Sequence, residues 1–260
     1  MYKGNTQADL DIRMLDYESH GNYNAYLVSC QILSKVKLEN KMIDGYKKIV
    51  TSLTPNMMQN LRNLMDSETS AKLLLDTTIR AQVLEMILTC ENDQIIKSYF
   101  QADYVPLWMK FLKNDPGLPL EDRPYHVNWH CDGGPNRHLK MLVDLNDNEE
   151  HGGYTEMMSL GDTERFKRHG YVWCPLDDRL PSLKPLGISY QRFHKHLQPA
   201  EGLLFEPANI MHKAKWPDKA PRYIIQLCFL PADKDWRSLL KENPQLPSES
   251  TDWPIFEMRG

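Results

Sequence analysis

Tyr223-Ile224-Ile225-Gln226-Leu227 is the most strand-like stretch in the chain, two β-branched residues set between an aromatic and an aliphatic one. Such residues fit a pleated, half-buried surface, so the stretch predicts a strand continuing to Leu230. Five runs of similar character precede it: Tyr125 to Trp129, Leu139 to Leu145, Gly153 to Met158, Gly202 to Phe205 and Ile210 to Ala214. Turns rich in Gly, Pro, Asp and Asn separate them, and no helical period is interleaved. That pattern describes an antiparallel sandwich or barrel rather than a parallel α/β sheet. The expected fold is α+β but mainly β, with a double-stranded β-helix, or jelly roll, as its core.

Ahead of residue 115 the rhythm changes. Met42 to Leu53, Met57 to Met65 and Ser70 to Leu88 place apolar residues at three- and four-residue steps, as in Leu73, Leu74, Ile79, Val83, Leu84 and Ile87. These read as amphipathic helices. The breaker-rich stretch Asn114-Asp115-Pro116-Gly117-Leu118-Pro119 closes this part. The expected organisation is a helical segment over 1–115 packed on a β core over 116–231, with a C-terminal tail over 232–260, all in one structural domain. The region 161–199 interrupts the strand rhythm and contains Arg165, Lys167, Arg168, Tyr171, Trp173 and Arg192. An insertion of that length reads as a lid or substrate-recognition loop.

Composition limits the setting. The 260 residues, 41% hydrophobic and 25% charged, can bury one sizeable core. A formal charge of -4 provides no basic stripe for a phosphate backbone, so no nucleic-acid partner is expected. Met1 to Leu15 contains Lys3, Asp9, Asp11 and Arg13 and lacks the apolar run of a signal peptide, and no stretch reaches membrane-spanning length. Cys30, Cys90, Cys131, Cys174 and Cys228 are scattered and odd in number, which argues against a disulfide framework or a structural zinc site. A cytoplasmic location is expected; oligomeric state is not encoded in any motif.

His130-Cys131-Asp132, then His212, then Arg222 carry the chemistry. On a strand, residues two apart share a face, so His130 and Asp132 can offer an imidazole nitrogen and a carboxylate oxygen to one metal. His212 supplies a third ligand from a distant strand. Three ligands on one side of an octahedral ion leave positions open for a bidentate co-substrate and oxygen, unlike a closed zinc site. Arg222, opening the Tyr223 strand, can pair bidentately with the far carboxylate of a dicarboxylate whose near end chelates the metal. The competing reading is plain: a lone HxD arises by chance, and a buried arginine opening a strand is often paired with a structural carboxylate. His194 and His196 form an HxH in a polar stretch and read as solvated; His138 and His151 fall at strand ends near the site.

The run His130-Cys131-Asp132, then Arg137 to Asp147, then Gly152-Gly153-Tyr154-Thr155-Glu156 resembles the iron(II)/2-oxoglutarate-dependent oxygenases. It is nearest to their prolyl-hydroxylase-like and phytanoyl-CoA-dioxygenase-like branches. Pro199 to Pro207, with His212 and Pro221-Arg222-Tyr223, is similar to the second half of that signature. The resemblance covers about Tyr125 to Pro231 and implies a cupin-like jelly roll. It also implies Fe(II) held by His130, Asp132 and His212, 2-oxoglutarate clamped by Arg222, and O2 as oxidant. The activity implied is hydroxylation of an unactivated C–H bond with release of succinate and CO2. Asp132 stands where halide-installing relatives have a small residue, which disfavours halogenation.

Two departures from the prolyl-hydroxylase pattern bear on the co-substrate. Its distal partner there is commonly lysine, and Val127 replaces a tyrosine three residues before the first ligand. Asn128 shares the strand face of His130 and is the first candidate for the near end of 2-oxoglutarate; Tyr125, Lys140 and Gln226 follow. The substrate expected is a small molecule or amino acid, and the basic insertion suggests an anionic group on it. Alternatives are a desaturase or cyclase using the same oxidant, and a non-catalytic jelly-roll binding module with a structural metal.

Overall fold

The computed structural model describes residues 42–132, 137–168, 191–244 and 246–247. Expectations for Tyr171 and Trp173, for the middle of the insertion and for the end of the tail lie outside these residues. In chain order the elements are β1 (Tyr46–Val50), α1 (Pro55–Ser67), α2 (Ser70–Leu75), α3 (Thr77–Ile87), α4 (Cys90–Phe100) and β2 (Asp103–Asn114). There follow β3 (Leu139–Asp144), α5 (Asn148–His151), β4 (Tyr154–Met158), α6 (Leu160–Arg168), β5 (Arg192–His194), β6 (Glu201–Phe205), β7 (His212–Lys215), β8 (Arg222–Ala232) and α7 (Trp236–Glu242).

The strands form two antiparallel sheets, a five-stranded one in the order β1-β6-β3-β8-β2 and a three-stranded one in the order β5-β4-β7. The strands expected near Leu139, Gly153, Gly202, Ile210 and Tyr223 are present as β3, β4, β6, β7 and β8. Three expectations are corrected. Tyr46–Val50, expected as helix, is an edge strand; Gly45 at φ 77° turns the chain into it, and Tyr46 to Val50 pair with Phe205 to Glu201. Tyr125–Val127, expected as strand, is a 3-10 turn closed by the Val127 amide donating to the Pro124 carbonyl at 3.2 Å. The 1–115 segment is not purely helical, because β1 and β2 supply two of the five strands of the larger sheet. β2 carries Pro106, which has no N–H for a ladder, and the register shifts between Pro106 and Trp108 to accommodate it.

Helix starts follow side-chain caps. Thr54, Thr69 and Thr89 each accept an amide from the first turn of α1, α2 and α4. Asp76 accepts from Thr78 and Ile79 and so divides Ser70 to Leu88 into two helices.

The larger sheet has two distinct faces. Phe111, Met141, Val143, Ile225, Leu227 and Phe229 join Leu61, Leu84, Ile87 and Phe100 of the helices in the main core. On the other face Leu142, Leu203, Phe205 and Ile224 meet Met157 of β4 and Ile210 in a second cluster between the sheets. Directly opposed residues share a face, so the register Lys140↔Cys228, Leu142↔Gln226, Lys110↔Gln226 and Asn114↔Arg222 places all these side chains toward the inter-sheet space.

Candidate metal centre

His130, Asp132 and His212 converge: each offers one ligand atom, and these atoms lie within 4.8 Å of one another. His130 is not on a strand; it forms a single bridge to His212, whose amide donates to the His130 carbonyl at 2.9 Å while the His130 amide donates to the His212 carbonyl at 3.1 Å. That bridge fixes the two imidazoles side by side, with ring centroids 4.3 Å apart, while the Asp132 amide donates to Pro207 at 2.8 Å. The strand expected to set His130 and Asp132 on one face is not found; a single bridge holds His130 and irregular backbone carries Asp132, and the two side chains still converge. Phe205 packs edge-on against His212 at 5.0 Å.

Hydrogen bonds set the tautomers. His130 Nδ1 lies 2.8 Å from the Asn128 carbonyl and His212 Nδ1 lies 2.9 Å from the Ile210 carbonyl. A carbonyl only accepts, so each Nδ1 carries a proton and each Nε2 is the ring nitrogen turned toward Asp132. Burial, reinforced by the neighbouring His130, pushes the His212 imidazole down to about 4, so it is neutral at pH 7. The two Nε2 atoms stand 3.3 and 3.5 Å from Asp132 Oδ1. That oxygen is buried and has no hydrogen-bond partner. His130 Nε2, His212 Nε2 and Asp132 Oδ1 thus face one another across a small gap that a cation could fill. Two imidazoles and one carboxylate on one side, with the rest open, suit a six-coordinate divalent ion such as iron.

The other Asp132 oxygen, Oδ2, is in direct contact with the Lys140 ammonium. Burial works against a charged Asp132, but Lys140 and the two imidazoles outweigh it and hold the carboxyl well below the usual carboxylate range. Lys140 also lies over the Trp108 ring at 5.8 Å.

The remaining expected residues are placed as follows. Asn128 acts through its backbone carbonyl on His130, and with a turn in place of a strand it does not share a strand face with that ligand. Tyr125 lies in the 3-10 turn. Gln226 lies on the inner face and is half-buried. Arg222 is buried and is not an unengaged guanidinium: Nε donates to Asp144 Oδ1 at 2.7 Å and Nη2 to Oδ2 at 3.1 Å. The structural-carboxylate pairing weighed from sequence is the arrangement found. His151 lies 3.8 Å from Asp144, and its pKa is pushed down to about 4 by burial and then by the adjacent Arg222. In the insertion, Arg165 is engaged by Asp162, while Arg192, His194 and His196 are exposed.

Sequence reasoning left Lys110 unplaced; the structure sets it on the inter-sheet face of β2. The signal was its alternation with the buried Met109 and Phe111, obscured because β2 lies within a region read as helical.

No family model matches the chain, and no curated protein matches it in sequence. Solved structures do match. The epimerase SnoN from nogalamycin biosynthesis, in complex with Fe3+, alpha ketoglutarate and nogalamycin RO, is 14% identical with a TM-score of 0.52 over 80% of this chain and 88% of its own. EctD from S. alaskensis, with 2-oxoglutarate and 5-hydroxyectoine, is 16% identical with a TM-score of 0.51 over 72% of each chain. The carbocyclase SnoK is 13% identical with a TM-score of 0.50 over 72% of this chain and 80% of its own. These likenesses show that the chain shares the fold of these three proteins. No described helix is long and apolar enough to cross a membrane.

Proposed function

We propose that the chain is a non-haem Fe(II)- and 2-oxoglutarate-dependent oxygenase, built on a double-stranded β-helix and acting on a small molecule. The observation that carries this is the convergence of His130 Nε2, His212 Nε2 and Asp132 Oδ1 within 4.8 Å of one another, with each Nδ1 engaged by a backbone carbonyl. Fe(II) with 2-oxoglutarate and O2 supplies, when bound, an oxidant strong enough to take hydrogen from an unactivated C–H bond, leaving succinate and CO2. The protein holds both imidazoles in the ligating tautomer through Asn128 and Ile210. Lys140 keeps Asp132 ionised and leaves one carboxylate oxygen for the metal. The apolar wall of Leu142, Met157, Phe205 and Ile224 limits water between the sheets.

Hydroxylation is the reading carried forward, with desaturation or ring closure as the outcome to be separated by product mass. The test is conversion of 2-oxoglutarate to succinate, followed with and without a library of small carboxylates and amino acids. Succinate release that needs Fe(II) and air and disappears in His212→Ala supports the proposal. No succinate under any of these conditions would favour a metal-stabilised binding module instead.

A further inference from the structure

We infer that Thr163 is a positioning residue for the metal centre: its hydroxyl fixes the Ile210–Met211 peptide, whose carbonyl in turn holds the His212 ring. This rests on the metal-binding reading above and adds a residue outside the ligand set. The Met211 amide donates to Thr163 Oγ1 at 3.0 Å, and His212 Nδ1 lies 2.9 Å from the Ile210 carbonyl. Both contacts fall on one planar unit, because the Ile210 carbonyl and the Met211 N–H belong to the same peptide. In a trans peptide these groups point to opposite sides, so Thr163 stands on one side of the plane and the imidazole on the other. A tilt of this one plane moves both.

The neighbouring peptides are held by backbone alone. The Ile210 amide donates to the Glu206 carbonyl at 3.0 Å, the His212 amide to the His130 carbonyl at 2.9 Å, and the Met211 carbonyl accepts from the Met158 amide at 2.9 Å. The Ile210–Met211 unit differs in that its N–H is held by a side chain from α6, a separate element. Thr163 and Met211 are both fully buried, so water does not stand in for the hydroxyl. An N–H bonded on one side also polarises the carbonyl on the other, which strengthens its hold on His212 Nδ1. Without the hydroxyl the buried N–H has no acceptor, the peptide turns to find one, and the ring loses its fixed orientation and tautomer. α6 itself does not depend on this contact. Asp162 Oδ2 accepts from the Ser159 hydroxyl at 2.9 Å and from the Gln191 amide at 3.0 Å, and Phe166 is buried.

The test is the affinity of the full chain for Mn(II), read from the electron paramagnetic resonance of the free ion, with urea midpoints of the metal-free protein measured alongside. Thr163→Val keeps the side-chain shape and removes the hydroxyl. It should weaken Mn(II) binding about threefold to tenfold, less than the loss of a group in direct contact with a ligand. Thr163→Ala, which also removes the hydroxyl, should behave in the same way, and Thr163→Ser should bind Mn(II) as the wild type does. Thr51→Val is the control: it deletes a hydroxyl that donates to the Ala200 carbonyl at 2.9 Å, so it should lower the urea midpoint and leave Mn(II) affinity unchanged. Unchanged affinity in Thr163→Val and Thr163→Ala, or equal weakening in Thr163→Ser or in Thr51→Val, would overturn the assignment while leaving the metal centre intact. Wild-type protein that binds no Mn(II) would remove the metal-binding reading and the assignment with it.

Discussion

Asp132 keeps its charge at a buried position because Lys140 occupies one of its oxygens, leaving the other to face the Nε2 atoms of two imidazoles. Lys140→Met should therefore destabilise the metal-free protein by about 3–5 kcal/mol, the range for stranding one partner of a buried pair. A divalent ion replaces the missing positive charge, so Mn(II) should restore much of the loss. Urea midpoints with and without Mn(II) check this; equal losses in both conditions would mean that the metal does not sit on Asp132. The Arg222 and Asp144 pair behaves differently, since no ion is expected to compensate it. Arg222→Met or Asp144→Leu alone should cost about 3–5 kcal/mol, and the two together clearly less than the sum. Additive losses would show that the two side chains are not partners in solution.

At the scale of the elements, β6 lies between β1 and β3, and Gly202 lets it do so. A Cβ on Gly202 would meet the Leu142 carbonyl at 2.7 Å and Ile49 Cδ1 at 2.9 Å. Backbone cannot yield as a side chain can, so Gly202→Ala should cost about 1–3 kcal/mol in thermal or urea unfolding; a neutral substitution would mean that the sheet relaxes there. Such sheet contacts also explain what was legible beforehand. β3, β6 and β8 carry continuous apolar or β-branched runs, because they are covered on both faces, and they were readable. β1 is a polar edge strand with a short Tyr-Lys-Lys-Ile-Val pattern that fits a helix period equally well. β2 holds a proline and a bulge, and its pairing with β8 is set by residues more than a hundred positions away. His130, Asp132 and His212 were legible as a candidate ligand set from type and spacing, and the fold brings them together. The partner of Arg222 was not, since Asp144 becomes its neighbour only when β3 and β8 pair.

For the whole molecule, acid is the condition that separates folded from unfolded most directly. His126, His151 and His212 are each pushed down to about 4, chiefly by burial. An unfolded imidazole titrates near 6.5, so below that pH the unfolded chain takes up protons that the fold refuses. Stability should be level above about pH 7 and fall as pH drops toward 4, by about 1–2 kcal/mol per imidazole at pH 5. Urea midpoints of the metal-free protein across this range check it; a flat profile would mean that these rings are hydrated and titrate normally.

The central claim, an open iron site made by His130, Asp132 and His212 that also takes a 2-oxo acid, is tested most directly by spectroscopy without oxygen. Addition of Fe(II) and 2-oxoglutarate to the wild-type protein should produce a weak visible charge-transfer band that saturates with the metal, and His212→Ala should produce none. A wild-type protein without the band, or a His212→Ala variant with the same band, would contradict the account.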